Sequence, residues 1–249
     1  MPVPYDREHL LETAARARAR NRRRKAIALY RHVLAVERGN TDLHAKLAPL
    51  LAETGQHFDA WNSFRNTAQA ALRDGRDDKA LAIYREASQH LPREIQVWQA
   101  LARQLSKGGD DAEAIETLIE GSRHFRTPYL RPQAIHLLRR ARAIDPWHFE
   151  CVLELAGLLG RSDQREEARM LLDGLAERAG GRRLDRVRRA QLRLDPGLRT
   201  AWQFLGGRFR DRPDTGETQS RPAAPQAPND AAPAAEPSGV ATLHRIGRR

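Results

Sequence analysis

The side chains best suited to nucleophilic or metal chemistry in this 249-residue chain are one cysteine, Cys151, and nine histidines, and their spacing argues against both chemistries. No two histidines stand three or four residues apart, so no helix can present a ready pair of metal ligands. When the chain is slid against itself by 54 residues, Cys151 falls in register with Val97 and Leu43. It therefore reads as a small buried apolar side chain. A single thiol also excludes an internal disulfide or a thiolate metal cage, which fits a reducing compartment. Gly180-Gly181 and Gly206-Gly207 have no strand before them and read as helix ends rather than phosphate-cradling loops. Glu166 and Glu167 fall at a helix start, where they answer the helix dipole. No general acid and base can be paired, and neither an enzyme nor a bound metal or cofactor is expected.

Arginine is the remaining chemistry, and it is unevenly placed. The net charge is +11. Residues 1 to 25 hold eight basic and three acidic side chains, and residues 178 to 210 hold ten and two. The long middle, 26 to 177, is nearly balanced at 20 and 22, as is the tail, 211 to 249, with five of each. Clustered arginines attract phosphates or carboxylates and release counterions on binding. The basic ends, notably Arg16, Arg18, Arg20, Arg22, Arg23, Arg24 and Lys25 with Arg182, Arg183, Arg186, Arg188 and Arg189, thus offer weak, salt-sensitive nucleic-acid binding. No interleaved aromatics or base-reading motif accompany them. The competing reading is the solvated outer face of terminal helices in a stack.

What must position these residues is an internal repeat of 54 residues. Ala26, Ala80 and Ala134 coincide, as do Ile27, Leu81 and Ile135, and Tyr30, Tyr84 and Leu138. Leu47, Leu101 and Leu155 fall together, each followed by alanine, and Phe64, Leu118 and Leu172 mark another apolar column. Within each unit, at 25–78, 79–132 and 133–186, apolar residues recur every three or four positions, the period of a helix with one buried stripe. Each unit therefore reads as three helices, closed by Gly39-Asn40, Thr54-Gly55, Gly75, Gly108-Gly109, Gly160 and Gly180-Gly181. Asp110 with Glu113 and Asp163 with Glu166 have the spacing of an N-cap and its reciprocal partner. Leu10, Thr13, Ala14 and Ala17 align with Phe64, Thr67, Ala68 and Ala71, which adds a helix at the N-terminal end. Asp145-Pro146 recurs as Asp195-Pro196, with Trp202, Leu205 and Gly206 in place of Val152, Leu155 and Ala156, which adds another at the far end. About twelve helices are expected.

Trp98, Leu101, Ala102, Leu105, Ala114 and Leu118, with Phe64, Ala68, Ala71, Ala80, Tyr84, Ala87 and Pro92, give the chain a pattern that resembles the tetratricopeptide repeat family, over roughly residues 7 to 209. The resemblance implies an all-α, right-handed superhelical solenoid of stacked antiparallel helices that binds partner proteins. The period of 54 rather than 34 makes successive frames overlap, and a three-helix solenoid of armadillo type also fits. In this family the groove contacts come mostly from the fifth and ninth positions of the first helix of each pair. Carried over, these are Arg65 and Gln69, Gln99 and Arg103, and Ile119 and Arg123. Three arginines among them imply an acidic or carboxylate-bearing partner. The lysine and asparagine pattern by which some relatives clamp a C-terminal carboxylate is absent.

Residues 1 to 210 therefore read as the repeat domain and 211 to 249 as a separate tail. From Asp211 to Gly239 there is no Val, Ile, Leu, Met, Phe, Trp or Tyr, and six of the 14 prolines fall there, so the segment is expected to stay disordered. Val240, Leu243 and Ile246, three apart among basic residues, read either as a short docking helix or as an ordinary frayed terminus. No apolar run approaches the ~18 to 20 residues of a membrane span, and no signal peptide is evident. A soluble, cytoplasmic scaffold for another protein is the expectation.

Overall fold

A computed structural model describes residues 5–197, all within one compact unit. Eleven α-helices and no strand are found among the described residues. They are α1 (Arg7–Ala19), α2 (Arg23–Val36), α3 (Thr41–Glu53), α4 (His57–Arg73), α5 (Asp77–His90), α6 (Ile95–Lys107), α7 (Asp111–Ser122), α8 (Arg131–Ile144), α9 (Phe149–Gly160), α10 (Arg165–Arg178) and α11 (Gly181–Leu194). Two 3-10 turns, Arg123–Phe125 and Pro128–Leu130, lie between α7 and α8. Helix starts keep the sequence period: 23, 77 and 131, then 41, 95 and 149, then 57, 111 and 165, each 54 apart. The fold among these residues is an all-α helical repeat. The expected twelfth helix with Trp202, Leu205 and Gly206, and the tail with Val240, Leu243 and Ile246, lie outside the described residues.

Turn chemistry explains the period. Gly55, Gly109 and Asp163, each 54 residues from the last, take φ of +78°, +87° and +57°, and Asn21 and Gly75, also 54 apart, take +56° and +70°. A left-handed residue ends each of these helices, and where glycine is missing its place is taken by Asn or Asp, whose short polar side chains tolerate that conformation. Two expectations are corrected here. Gly160 is the last residue of α9 rather than its left-handed stop, which is Asp163. Asp163 is therefore committed to the turn and does not cap α10, whose N-cap is Gln164 with no side-chain bond. Asp110 does cap α7, accepting from the Glu113 N–H at 3.0 Å, but the Glu113 carboxylate turns instead to Arg85 at 2.6 Å.

The periodic apolar columns form the core. Ala26, Ala80 and Ala134 are fully buried, as are Ala60, Ala114 and Ala168, where helices cross too closely for a larger side chain. Leu47, Leu101 and Leu155 fill the gaps between them. Ala14 and Ala17 are buried like their counterparts Ala68 and Ala71, so α1 packs as the repeat predicts. Chain neighbours pack on one another along the described stack, most extensively α1 on α2, α3 on α4, α4 on α5, α7 on α8 and α9 on α10. A ladder of ion pairs repeats with the same period: Arg31 to Asp59, Arg85 to Glu113 and Arg139 to Glu167 link the first and third helices of successive triplets.

Candidate partner-binding surface

Arg65 and Gln69 lie on α4, and Gln99 and Arg103 on α6; Gln99 is half-buried and the other three are exposed. Both arginines act electrostatically on Tyr84 of α5, the helix that lies between α4 and α6 in the chain. Burial raises the Tyr84 phenol above its ordinary pKa, and the positive charges of Arg103 and Arg65 pull it partly back. The two exposed guanidinium groups thus share one electrostatic neighbour, the phenol of the intervening helix α5. Its backing is rigid, because Trp61 of α4 donates through its indole N–H to Gln96 Oε1 of α6 at 2.6 Å and lies beside Tyr84, ring centroids 6.2 Å apart. Arg65 also donates to Asn62 Oδ1 at 2.9 Å, which orients its guanidinium along the exposed face of α4.

The other two carried-over positions behave differently. Ile119 is completely buried inside α7 and cannot touch a partner. Arg123 lies just past the end of α7, in the first 3-10 turn, and both its Nε (3.2 Å) and Nη2 (2.7 Å) donate to Glu154 Oε1 of α9. That hydrogen bond, with the Glu154 charge, raises the Arg123 pKa further. Arg123 is exposed, but its charge is answered from within the stack by Glu154.

One feature has no counterpart among the expected residues. Between α9 and α11 lies a cleft of about 430 Å³. Leu153, Ala156, Leu172 and Leu194 supply apolar lining, and Arg161, Arg165, Arg186, Arg189 and Arg193 supply the charge, with no carboxylate among the lining residues. Arg186 is held in a bidentate pair with Glu150, at 2.5 and 2.7 Å. Gly157 lines the cleft, and nothing lies within 4 Å of where its Cβ would be. The 54-residue register places Gly157 where Arg103 and Pro49 stand in the preceding triplets, and Leu153 where Gln99 stands. That register was the available signal, but a cleft lined in part by a glycine carries no motif.

Several of the basic end residues also serve the fold. Arg23 pairs with Glu53 at 2.5 Å and Arg16 with Glu12 at 3.2 Å. Arg183 and Arg186 lie over the Phe149 ring at 5.3 and 5.1 Å. Cys151 is fully buried, its thiol lies 3.3 Å from the Leu138 carbonyl oxygen, and desolvation pushes its pKa up to about 12, which suits packing and not nucleophilic attack. Among the described residues no cluster of His, Cys, Asp and Glu could hold a metal, and no helix is long and apolar enough to cross a membrane.

No protein-family model matches the chain, and no curated protein matches it. Among solved structures, the Pseudomonas aeruginosa pilF protein is similar at 16% identity, covering 82% of this chain and 89% of that one, with a TM-score of 0.36. A kinesin light chain from Podospora anserina with nearly identical tetratricopeptide-like repeats is similar at 16% identity, covering 84% and 96%, with a TM-score of 0.36. YrrB, a tetratricopeptide repeat protein with an unusual peptide-binding site, is similar at 12% identity, covering 81% and 92%, with a TM-score of 0.27.

Proposed function

We propose that this helical-repeat chain is a non-enzymatic scaffold that holds a peptide or helix of another protein along its exposed helical face, in a reducing compartment such as the cytoplasm. The observation that supports the reading is that Arg65 on α4 and Arg103 on α6 are both exposed and both act electrostatically on Tyr84 of α5, while Gln69 and Gln99 lie on the same two helices. Exposed guanidinium groups backed by a buried aromatic ring favour a carboxylate-bearing segment, because they offer paired donors. Arg123 contributes less, since a partner would have to displace Glu154.

The test is affinity capture from the native cell with the full chain and with Arg65→Glu/Arg103→Glu. Loss of the recovered partner, with an unchanged helical spectrum, supports the two arginines as a docking site. Unchanged recovery rejects it. A mobility shift on nucleic acid at low salt that depends on Arg22, Arg24 and Lys25, with no protein partner captured, would replace this reading by the nucleic-acid one.

A further inference from the structure

We infer that the cleft between α9 and α11 is a specificity pocket for an acidic partner segment that inserts one apolar side chain flanked by carboxylates. This deepens the scaffold reading and rests on it, because in the repeat register Leu153 and Gly157 continue the row occupied by Gln99 and Arg103. The occupant follows from charge and shape together. The floor of Leu153, Ala156 and Leu194 is apolar and open to an aliphatic side chain, which gains by leaving water. Around it Arg161, Arg165, Arg189 and Arg193 supply positive charge that no lining carboxylate answers. Arg186, already paired with Glu150, links α11 to α9 beside the cleft. A nucleic-acid backbone would meet the arginines but leave the leucine floor unused, so an acidic peptide with an apolar anchor fits better.

Position 157 also supplies a variant that separates shape from charge. Gly157→Arg restores the residue found at the equivalent place in the preceding triplet, Arg103, and has open space to occupy. It adds a positive charge while filling the cleft. If general electrostatics governed binding, it would strengthen binding of an acidic ligand; if the pocket governs, it weakens it.

The probe is a fluorescein-labelled twelve-residue peptide of Asp and Glu with one central Leu, compared by anisotropy with the same peptide carrying Ser for Leu, on the full chain. The expected result is that Leu to Ser weakens binding about tenfold. Gly157→Arg and Gly157→Leu should do the same, Arg189→Glu/Arg193→Glu should weaken it further, and all variants should keep the parent helical spectrum. Arg65→Glu/Arg103→Glu should affect the Leu and Ser peptides alike and leave the ratio between them unchanged. Four results overturn the inference: no binding at about 1 mM; equal binding of the Leu and Ser peptides; unchanged or tighter binding by Gly157→Arg; or tighter binding of a single-stranded oligothymidine that Gly157→Leu leaves unchanged. If binding instead fails only in Arg65→Glu/Arg103→Glu, the pocket is rejected while the scaffold reading stands.

Discussion

Three glycines sit inside helices with very different neighbours, and alanine at each should shift stability in a different direction. Gly157 is in α9, Gly174 in α10 and Gly121 in α7. In a helix the change from glycine to alanine by itself gains about 0.5–1 kcal/mol. At Gly157 nothing opposes the gain, because no atom lies within 4 Å of the new Cβ. At Gly174 the Cβ would run into the Trp147 ring, but that ring is 40% exposed and can swing outward. What it gives up is the Arg178 guanidinium stacked 3.9 Å from its centroid, worth about 0.5–1 kcal/mol, so the net change is near zero. At Gly121 the Cβ would lie 2.6 Å from Trp98 Cγ. Trp98 is only 3% exposed, and its indole N–H donates to the Pro92 carbonyl at 2.9 Å, so the ring has nowhere to go. Overpacking costs about 1–3 kcal/mol, and with a buried indole that cannot move the cost falls in the upper half of that range, about 2–2.5 kcal/mol, leaving a net loss of about 1–2 kcal/mol. For a domain of this size, each kcal/mol moves the melting midpoint by about 2–4 °C. Thermal melts followed by circular dichroism should therefore place Gly157→Ala about 1–4 °C above the parent, Gly174→Ala within about 2 °C of it and Gly121→Ala about 2–8 °C below. Because a stack melts through coupled neighbours, the order of the three carries the test. A Gly121→Ala chain that melts at or above the parent, or a Gly157→Ala chain that melts below it, would refute the reasoning.

The Cys151 thiol should resist a disulfide reagent at pH 8 in the native chain and react at once in denaturant, as followed by absorbance. Since burial raises its pKa from 9.0 to about 12, the unfolded chain loses this proton first. The thiol's contribution is therefore whole below pH ~9 and is lost as pH rises toward ~12, and Cys151→Ala should flatten that alkaline decline in stability. Asp110→Ala should cost about 0.5–2 kcal/mol by chemical denaturation, since the Glu113 N–H loses its acceptor, whereas Asp163→Gly should be neutral or stabilising because Asp163 is held at positive φ. Converting Arg31, Arg85 and Arg139 together to Gln should cost no more than about 3 kcal/mol in low salt and much less near 1 M, because all three pairs are exposed. A loss that persisted in high salt would mean that the arginine stems, and not their charges, do the packing.

Most of the fold is legible in the residues that the repeat conserves. Ala26, Ala80 and Ala134 announce close helix crossings, and they are fully buried. Cys151 betrays its core role by falling in register with Val97 and Leu43, and it too is buried. Legibility failed where one residue type can serve two local ends. Asp163 has the spacing of a cap, but it also stands in register with Gly55 and Gly109, and the turn took precedence. Arg123 fits the count for a groove position, but α7 stops at Ser122 and a 3-10 turn swings the side chain to Glu154. The α9–α11 cleft was least legible of all, because α11 begins at 181, four residues ahead of the register set by 77 and 131, and no spacing rule reaches across that slip.

The same repeat separates structural positions from variable ones. Where three successive triplets hold chemically equivalent residues, the position serves the stack, as with the alanine columns or the ladder of Arg31, Arg85 and Arg139 against Asp59, Glu113 and Glu167. Such positions face the next helix, so a change in one triplet must be matched in its neighbour, and packing holds them alike. Where the triplets diverge without disturbing the stack, that constraint is lifted. Ala45, Gln99 and Leu153 share one position, and Pro49, Arg103 and Gly157 share another one helical turn on. Each set runs from one chemistry to a quite different one while helix starts at 41, 95 and 149 stay in phase. None of these six side chains is fully buried, so the core does not dictate them. In a module whose back is periodic, an aperiodic row on the open side is where recognition has room to differ from unit to unit. Substitutions that make this row uniform, such as Gly157→Arg with Leu153→Gln, should leave stability nearly unchanged and remove the selectivity of the third triplet.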